Sequence, residues 1–261
     1  MVDISKGFNV EWIKFSAGEH QCKVTIEPDN GFIKHPTITC NWKGAEDTEK
    51  ICLLKNALDN IGYGKFAKLN IPYMPYSRQD RITEHGASFA LKVFANVINS
   101  LEFKEVITLD VHSQATELLI NNLTNKDQSE WLTEILIGEP TIDCIIAPDA
   151  GAYKKVYETC SKLPQTIKDR IEVVCAQKVR NVSTGEIEGM EIDQVKVAGK
   201  NILVLDDICD GGRTFIELAK ILPLPIEMMQ LAVSHGIFSR GREVLGKYYC
   251  RIHTLNNMEK K

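Results

Sequence analysis

Val204-Leu205-Asp206-Asp207-Ile208-Cys209-Asp210-Gly211-Gly212-Arg213-Thr214 decides how this chain is read. The run from Asn201 to Leu205 reads as a buried strand. It ends in two carboxylates, then a third, then a glycine pair that opens a helix over 214–222. Glycines let backbone amides approach an anion, and a helix N-terminus adds N–H groups and partial positive charge. Adjacent acids suit sugar hydroxyls or a metal bridging to phosphate. The plainer reading is a βα turn with Asp210 as an acidic N-cap. That reading leaves three carboxylates in an apolar setting, which costs stability without a partner.

Outward from this stretch, short apolar strands alternate with helical stripes. Strands are expected at Glu105 to Leu109, Cys144 to Ala147, Ile171 to Cys175 and Met228 to Val233. Helices are expected over 47–61, apolar at Ile51, Leu54, Leu58 and Ile61, and over 86–101, with Phe89, Val93, Phe94, Val97 and Leu101 on the buried side. Others are expected over 115–123 and 153–163, and a more polar stretch leads through Trp131 to Ile137. This alternation predicts an α/β fold of parallel sheets covered on both faces. Nearer the start, Glu11 to Phe15 and Gln21 to Ile26 alternate with period two, and Asp29-Asn30-Gly31 before Phe32-Ile33 signals a turn. The polar stretch 125–129 divides the chain into halves 1–127 and 128–261. In such sheets ligands sit beyond the carboxyl ends of the strands.

Composition narrows the function classes. The 261 residues suffice for one large or two ordinary domains, and 44% hydrophobic with 25% charged residues is usual for a soluble protein. A net charge of −4 gives no broad pull toward nucleic acid or anionic membrane, so neither is an expected partner. Anionic substrates then require locally placed cations and backbone amides. The eight cysteines are scattered without a C-x-x-C or C-x-x-H pair, which argues against zinc or a disulfide framework. Met1 to Lys6 lacks the apolar core of a signal peptide, and no apolar run approaches the ~20 residues that span a bilayer. A cytoplasmic location is expected.

Four further segments carry unusual residues. Pro72-Tyr73-Met74-Pro75-Tyr76-Ser77-Arg78-Gln79-Asp80-Arg81 combines prolines and aromatics that fix a loop with planar donors suited to adenine or phosphate. Leu109-Asp110-Val111-His112-Ser113-Gln114 follows a strand; taken alone, its histidine would be structural. Pro148-Asp149-Ala150-Gly151 is, by itself, a common turn sequence. Lys178-Val179-Arg180, ahead of Ser183-Thr184-Gly185-Glu186, sets two cations on one side of an extended segment, where a solvated surface pair is the common fate.

In order along the chain these segments resemble the ribose-phosphate pyrophosphokinase family. The stretch 204–214 resembles the phosphoribosyl-pyrophosphate-binding motif shared with phosphoribosyltransferases. Pro72 to Arg81 looks like the family's ATP-contacting segment, Asp110-x-His112 its strand-end Asp-x-His, Pro148 to Gly151 its Pro-Asp-x-Gly turn, and Lys178-x-Arg180 the pair on its mobile catalytic loop. Phe15-Ser16-Ala17-Gly18-Glu19 is similar to Phe-Ser-Asp-Gly-Glu, and Ser234 to Ser239 to the late Thr-His-Gly-x-Phe-Ser. The resemblance spans Phe15 to Ser239, and the βα element that opens typical members is not evident before Phe15.

The resemblance implies two stacked type I phosphoribosyltransferase-like halves, with parallel sheets flanked by helices and an active site between them. It implies transfer of a diphosphate from ATP to the C1 hydroxyl of a ribose 5-phosphate-type sugar, by a homo-oligomer. Arg78, Gln79, Asp80, Gly18, Glu19 and His112 would bind ATP. His112, Asp149 and Asp110 would serve Mg2+, and Lys178 and Arg180 would be catalytic. Asp206, Asp207, Asp210, Gly211, Gly212, Arg213 and Thr214 would cradle the sugar and its phosphate. Three departures stand out: Ala17 replaces an acid or amide, Gly211 replaces Thr, and Arg213 replaces Gly. The last two leave the acceptor open between ribose 5-phosphate and ADP-ribose. A phosphoribosyltransferase would not need Arg78-Gln79 or Asp110-x-His112, and a non-catalytic regulatory homologue would not need Lys178 and Arg180.

Overall fold

A computed structural model describes residues 1–27, 35–180 and 187–259, with the backbone alone for 178–180, 187 and 188. The turn expected at Asp29 to Gly31, Phe32-Ile33, and Asn181 to Glu186 lie outside the described residues. The chain divides into two compact units, Met1–Lys126 and Asp127–Lys261.

In the first unit β1 (Val2–Ile4) is followed by a hairpin of β2 (Phe8–Lys14) and β3 (His20–Ile26). Then come β4 (Thr37–Cys40), α1 (Glu46–Asn60), β5 (Lys68–Asn70), α2 (Ala90–Ser100), β6 (Glu105–Leu109), α3 (Gln114–Leu119) and β7 (Leu123–Lys126). Among the described residues the sheet runs β1-β4-β5-β6-β7, with β1 antiparallel to β4 and the rest parallel. The expected stripe of α1 buries Ile51, Leu54 and Leu58, while Ile61 lies past its end and is exposed.

Two expectations are corrected here. The helix begins at Ala90, not at 86, because Gly86 turns the chain through φ 84°. Its buried stripe is Leu91, Phe94, Ala95 and Ile98, an i, i+3, i+4, i+7 set, and Val93 on the opposite side is 61% exposed. The helix expected to reach Leu123 stops at Leu119, and Asn122 takes a left-handed φ of 55° before β7 starts. This polar edge strand has too few buried positions to be read by periodicity.

The second unit holds α4 (Ser129–Gly138), β8 (Cys144–Ala147), α5 (Ala150–Ser161), α6 (Gln165–Lys168), β9 (Glu172–Cys175), β10 (Gln177–Arg180), β11 (Ile187–Glu191) and α7 (Gln194–Val197). It continues with β12 (Ile202–Cys209), α8 (Arg213–Ile221), β13 (Met229–Gly236) and β14 (Arg251–Asn257). The sheet β14-β13-β12-β8-β9 is parallel throughout. Alternation along β12 explains its burial on both sides. Ile202 and Val204 join Phe215 and Leu218 in one core, while Leu203 and Leu205 join Leu132, Leu136 and Val156 in another.

Candidate functional site

The carboxylates after Leu205 lie within β12, because pairing with β13 continues to Cys209 opposite Gly236. Asp207 is 5% exposed, and Lys155 of α5 donates to its Oδ2 at 2.9 Å. Asp206 is half-buried and accepts from the Asp207 amide at 2.9 Å. Enclosure at the strand end, then the carboxylates of Asp207 and Asp149, push its pKa well above the usual carboxylate range. Asp149 sits at the N-cap of α5, its Oδ1 accepting from the Ala152 amide at 2.9 Å. The structure thus brings Asp149, Asp206, Asp207 and Lys155 together. Sequence reading missed Lys155; its signal was a lysine six residues after Asp149, where a helix turns it back toward the neighbouring strand.

The plainer reading of Asp210 as N-cap is not what forms. Gly212 is the N-cap of α8, in left-handed conformation at φ 76°, and supplies no side-chain acceptor. Helix N-termini present amides and partial positive charge, the features that suit an anion. The positive φ favours glycine here, and a Cβ at Gly212 would stand a tight 3.0 Å from the Leu245 side chain. Arg213 is exposed at the first helical position and Thr214 is half-buried beside it. Residues after β13 wrap this loop: the amides of Ile237 and Phe238 donate to the Cys209 carbonyl at 2.8 and 3.2 Å, and Ser239 donates to that of Asp210 at 3.2 Å. Lys178 and Arg180 lie on β10, which pairs with β11, Lys178 opposite Met190 and Arg180 opposite Ile187. Their side chains fall outside the description.

In the first unit the loop 72–80 runs on from β5 and is tied to β6. Leu109 N–H and Thr108 Oγ1 both donate to the Pro72 carbonyl, at 3.0 and 3.2 Å. Tyr76 has a left-handed φ of 61°, and its carbonyl accepts from the Gln79 amide at 2.8 Å. The Tyr76 ring lies 6.1 Å from Trp42 and 5.7 Å from Phe94, which are themselves 5.8 Å apart. Such aromatic contacts contribute about 1 kcal/mol each, enough to offset one left-handed residue. Arg78 and Gln79 are exposed on the loop so fixed.

Asp80 connects that loop to the end of β6. Its Oδ2 accepts from Ser113 Oγ at 2.7 Å and its Oδ1 from Arg81 Nε at 3.0 Å. The Ser113 bond, then Arg81, hold its pKa below the usual range. His112, one residue before Ser113, is exposed, whereas Asp110 is 2% exposed with φ 44°. Arg78, Gln79, Asp80, Asp110 and His112 therefore share one strand-end region. Gly18 and Glu19 are exposed elsewhere, in the β2–β3 turn, where Phe15 N–H donates to the Glu19 carbonyl at 2.8 Å and Gly18 has φ 104°. That hairpin is fastened to α1 through His20, whose Nδ1 lies 2.9 Å from Glu49 and Nε2 3.3 Å from Glu46.

No family model matches the chain. It is 31% identical over 240 residues to the ribose-phosphate pyrophosphokinase of Pyrococcus furiosus, covering 89% of this chain and 80% of that protein. It is 27% identical to the ribose-phosphate pyrophosphokinase of Thermococcus kodakarensis, covering 91% and 81%. Among solved structures, the phosphoribosylpyrophosphate synthetase from Mycobacterium smegmatis has the same fold, with a TM-score of 0.69 at 17% identity over 87% of this chain and 72% of that one. No helix among the described residues is long and apolar enough to cross a membrane.

Proposed function

The chain belongs to the ribose-phosphate pyrophosphokinase family of transferases, and we propose on this footing that it moves the β,γ-diphosphate of ATP to the C1 hydroxyl of a ribose 5-phosphate-type acceptor. The C1 oxygen bonds to the β-phosphorus, the bond from that phosphorus to the α,β-bridging oxygen breaks, and AMP leaves. One observation carries this reading. A single chain holds an acid-and-glycine strand end on β12 and, in its other unit, the loop of Arg78 and Gln79 tied to the end of β6. A transferase that consumes an activated sugar needs only the first.

Roles follow from charge and position. Arg78, Gln79 and Asp80 hold the nucleotide, with Gly18, Glu19 and His112 assigned to it by resemblance. Asp206, Asp207 and the loop from Asp210 to Thr214 bind the sugar and its 5-phosphate. Lys178 and Arg180 stabilise charge on the transferring group, which is where such enzymes gain most of their rate. Among the described residues no group of three or more His, Cys, Asp or Glu is placed to hold a metal unaided. Mg2+ takes one or two carboxylates, several waters and substrate phosphates. By resemblance Asp149 in one unit, and His112 and Asp110 in the other, are assigned to Mg2+, which when bound would neutralise phosphate charge.

The loop also supports a finer choice of acceptor. Gly211 gives no hydroxyl to a phosphate monoester, and Arg213 is exposed at the first turn of α8. A guanidinium there suits the second phosphate of ADP-ribose. Its product, ADP-ribose 1-pyrophosphate, would be an activated donor for making NAD from nicotinamide. The test incubates the protein with ATP, Mg2+ and each sugar and follows AMP. ADP-ribose should exceed ribose 5-phosphate in kcat/KM, and Arg213→Gly should harm ADP-ribose more. A preference for ribose 5-phosphate that Arg213→Gly leaves unchanged removes the ADP-ribose reading, and no AMP from either sugar removes the reaction.

A further inference from the structure

We infer that Arg240, on the turn after β13, is a specificity-determining residue that covers Gly211 and presents a second guanidinium, with that of Arg213, to a substituted 5-phosphate. The inference rests on the sugar-side reading of the 210–214 loop given above.

Three observations converge on it. First, Arg240 lies against the glycine: a methyl group added at Gly211 would stand 3.5 Å from Arg240 Nε and 3.7 Å from its Cδ, with Ser239 Oγ at 3.8 Å. These are ordinary contacts, so a Cβ alone would fit beside the arginine stem, and the further atoms of a larger side chain at 211 would press on it. Second, the turn that carries Arg240 is held firmly. Gly241 N–H donates to the Phe238 carbonyl at 2.9 Å, and Phe238, at φ 47°, is 3% exposed beneath the Arg242 guanidinium at 5.2 Å. The bonds from Ile237, Phe238 and Ser239 to Cys209 and Asp210 fix this turn to the loop itself. Third, Arg213 and Arg240 are both exposed, and neither joins an ion pair among the described residues.

The chemistry follows from donor number. A threonine at 211 would offer one hydroxyl to a monoester, whereas Arg240 offers a planar fork that engages two phosphate oxygens. Two arginines, one opening α8 and one on the turn after β13, can each take one phosphate of a diphosphate, while a monoester uses only one of them well. Specificity is then a difference between acceptors and not a gain for all of them.

The test measures steady-state constants for ATP, ribose 5-phosphate and ADP-ribose, and calorimetric Kd for the two sugars, in wild type, Arg240→Ala, Arg240→Lys and Gly211→Thr. Arg240→Ala should raise KM and Kd for ADP-ribose about tenfold, the loss expected of one charge-assisted contact, with kcat and the KM for ATP unchanged. Arg240→Lys should restore part of that loss, and Gly211→Thr, by displacing the arginine, should move preference toward ribose 5-phosphate. If wild type forms AMP and Arg240→Ala alters neither sugar, or both equally, the inference is overturned and the reaction stands. If wild type forms no AMP while Arg240→Ala still weakens ADP-ribose binding selectively, the reaction is overturned and the Arg240 contact stands.

Discussion

Lys155 and Asp207 form an ion pair across α5 and β12, Nζ to Oδ2 at 2.9 Å, and this pair lets a second carboxylate, Asp206, sit beside the first. Without the ammonium, two adjacent acids near Asp149 would repel one another in a poorly hydrated strand end.

Lys155→Met should therefore destabilise the protein by about 2 kcal/mol, the cost of depriving a buried carboxylate of its ammonium after discounting the part-exposed lysine. In an Asp207→Asn background the same change should cost far less, because no charge is stranded. Urea denaturation of the four proteins in this double-mutant cycle checks it. Equal costs in both backgrounds would show that the pair is not coupled.

Trp42 touches both other rings of the cluster that holds Tyr76, so Trp42→Ala should loosen the loop 72–80 and raise the Kd for ATP several-fold. Trp42→Phe should retain most of the affinity. Calorimetric titration with ATP, beside amide exchange at Gln79, reads both effects. Faster exchange with unaltered ATP affinity would remove this loop from the nucleotide site.

The fastening of the hairpin to α1 carries its own pH dependence. The His20 side chain holds Glu49 below the ordinary glutamate range, and Lys50 does so for Glu46. A carboxyl whose folded pKa is depressed adds stability at pH above its unfolded value, and that stability is lost as pH falls through the folded value. Protection factors for β2–β3 amides should hold steady above the ordinary glutamate range and fall below it. In His20→Ala they should be lower above that range, and the fall on acidification should be much smaller, because Glu49 then has little depressed pKa to lose. Identical profiles would mean that the hairpin is held by its apolar contacts alone, through Val10, Trp12 and Cys22 packed on the core of the first unit.

Lys178→Ala should lower kcat by about 100-fold, with ATP affinity and melting temperature nearly unchanged, since a cation acting on transition-state charge adds little to ground-state binding. A variant retaining more than half of the wild-type rate would withdraw Lys178 from the reaction.

Strands buried on both faces were the most legible part of this chain. Cys144 to Ala147 and the core of β12 are short, apolar and bounded by polar turns, so burial and hydropathy coincide. Edge elements were not: Leu123 to Lys126 and Arg251 to Asn257 form strands because a neighbouring strand offers hydrogen-bond partners, a long-range cause that local pattern does not carry. The acid-and-glycine loop was legible because its residue types have few other uses together. Lys155 and Arg240 were not, since lysine and arginine on a helix or turn ordinarily face water, and only the fold brings them to Asp207 and Gly211.

The two glycines of that loop differ in evolutionary latitude. Gly212 is doubly constrained, by a left-handed backbone and by Leu245 standing 3.0 Å from where a Cβ would be, so nearly any mutation there disturbs the helix start. Gly211 has neither constraint, and Arg240 opposite it is exposed. Mutational drift is thereby channelled: changes at Gly211 and Arg240 cost the fold less than changes at Gly212.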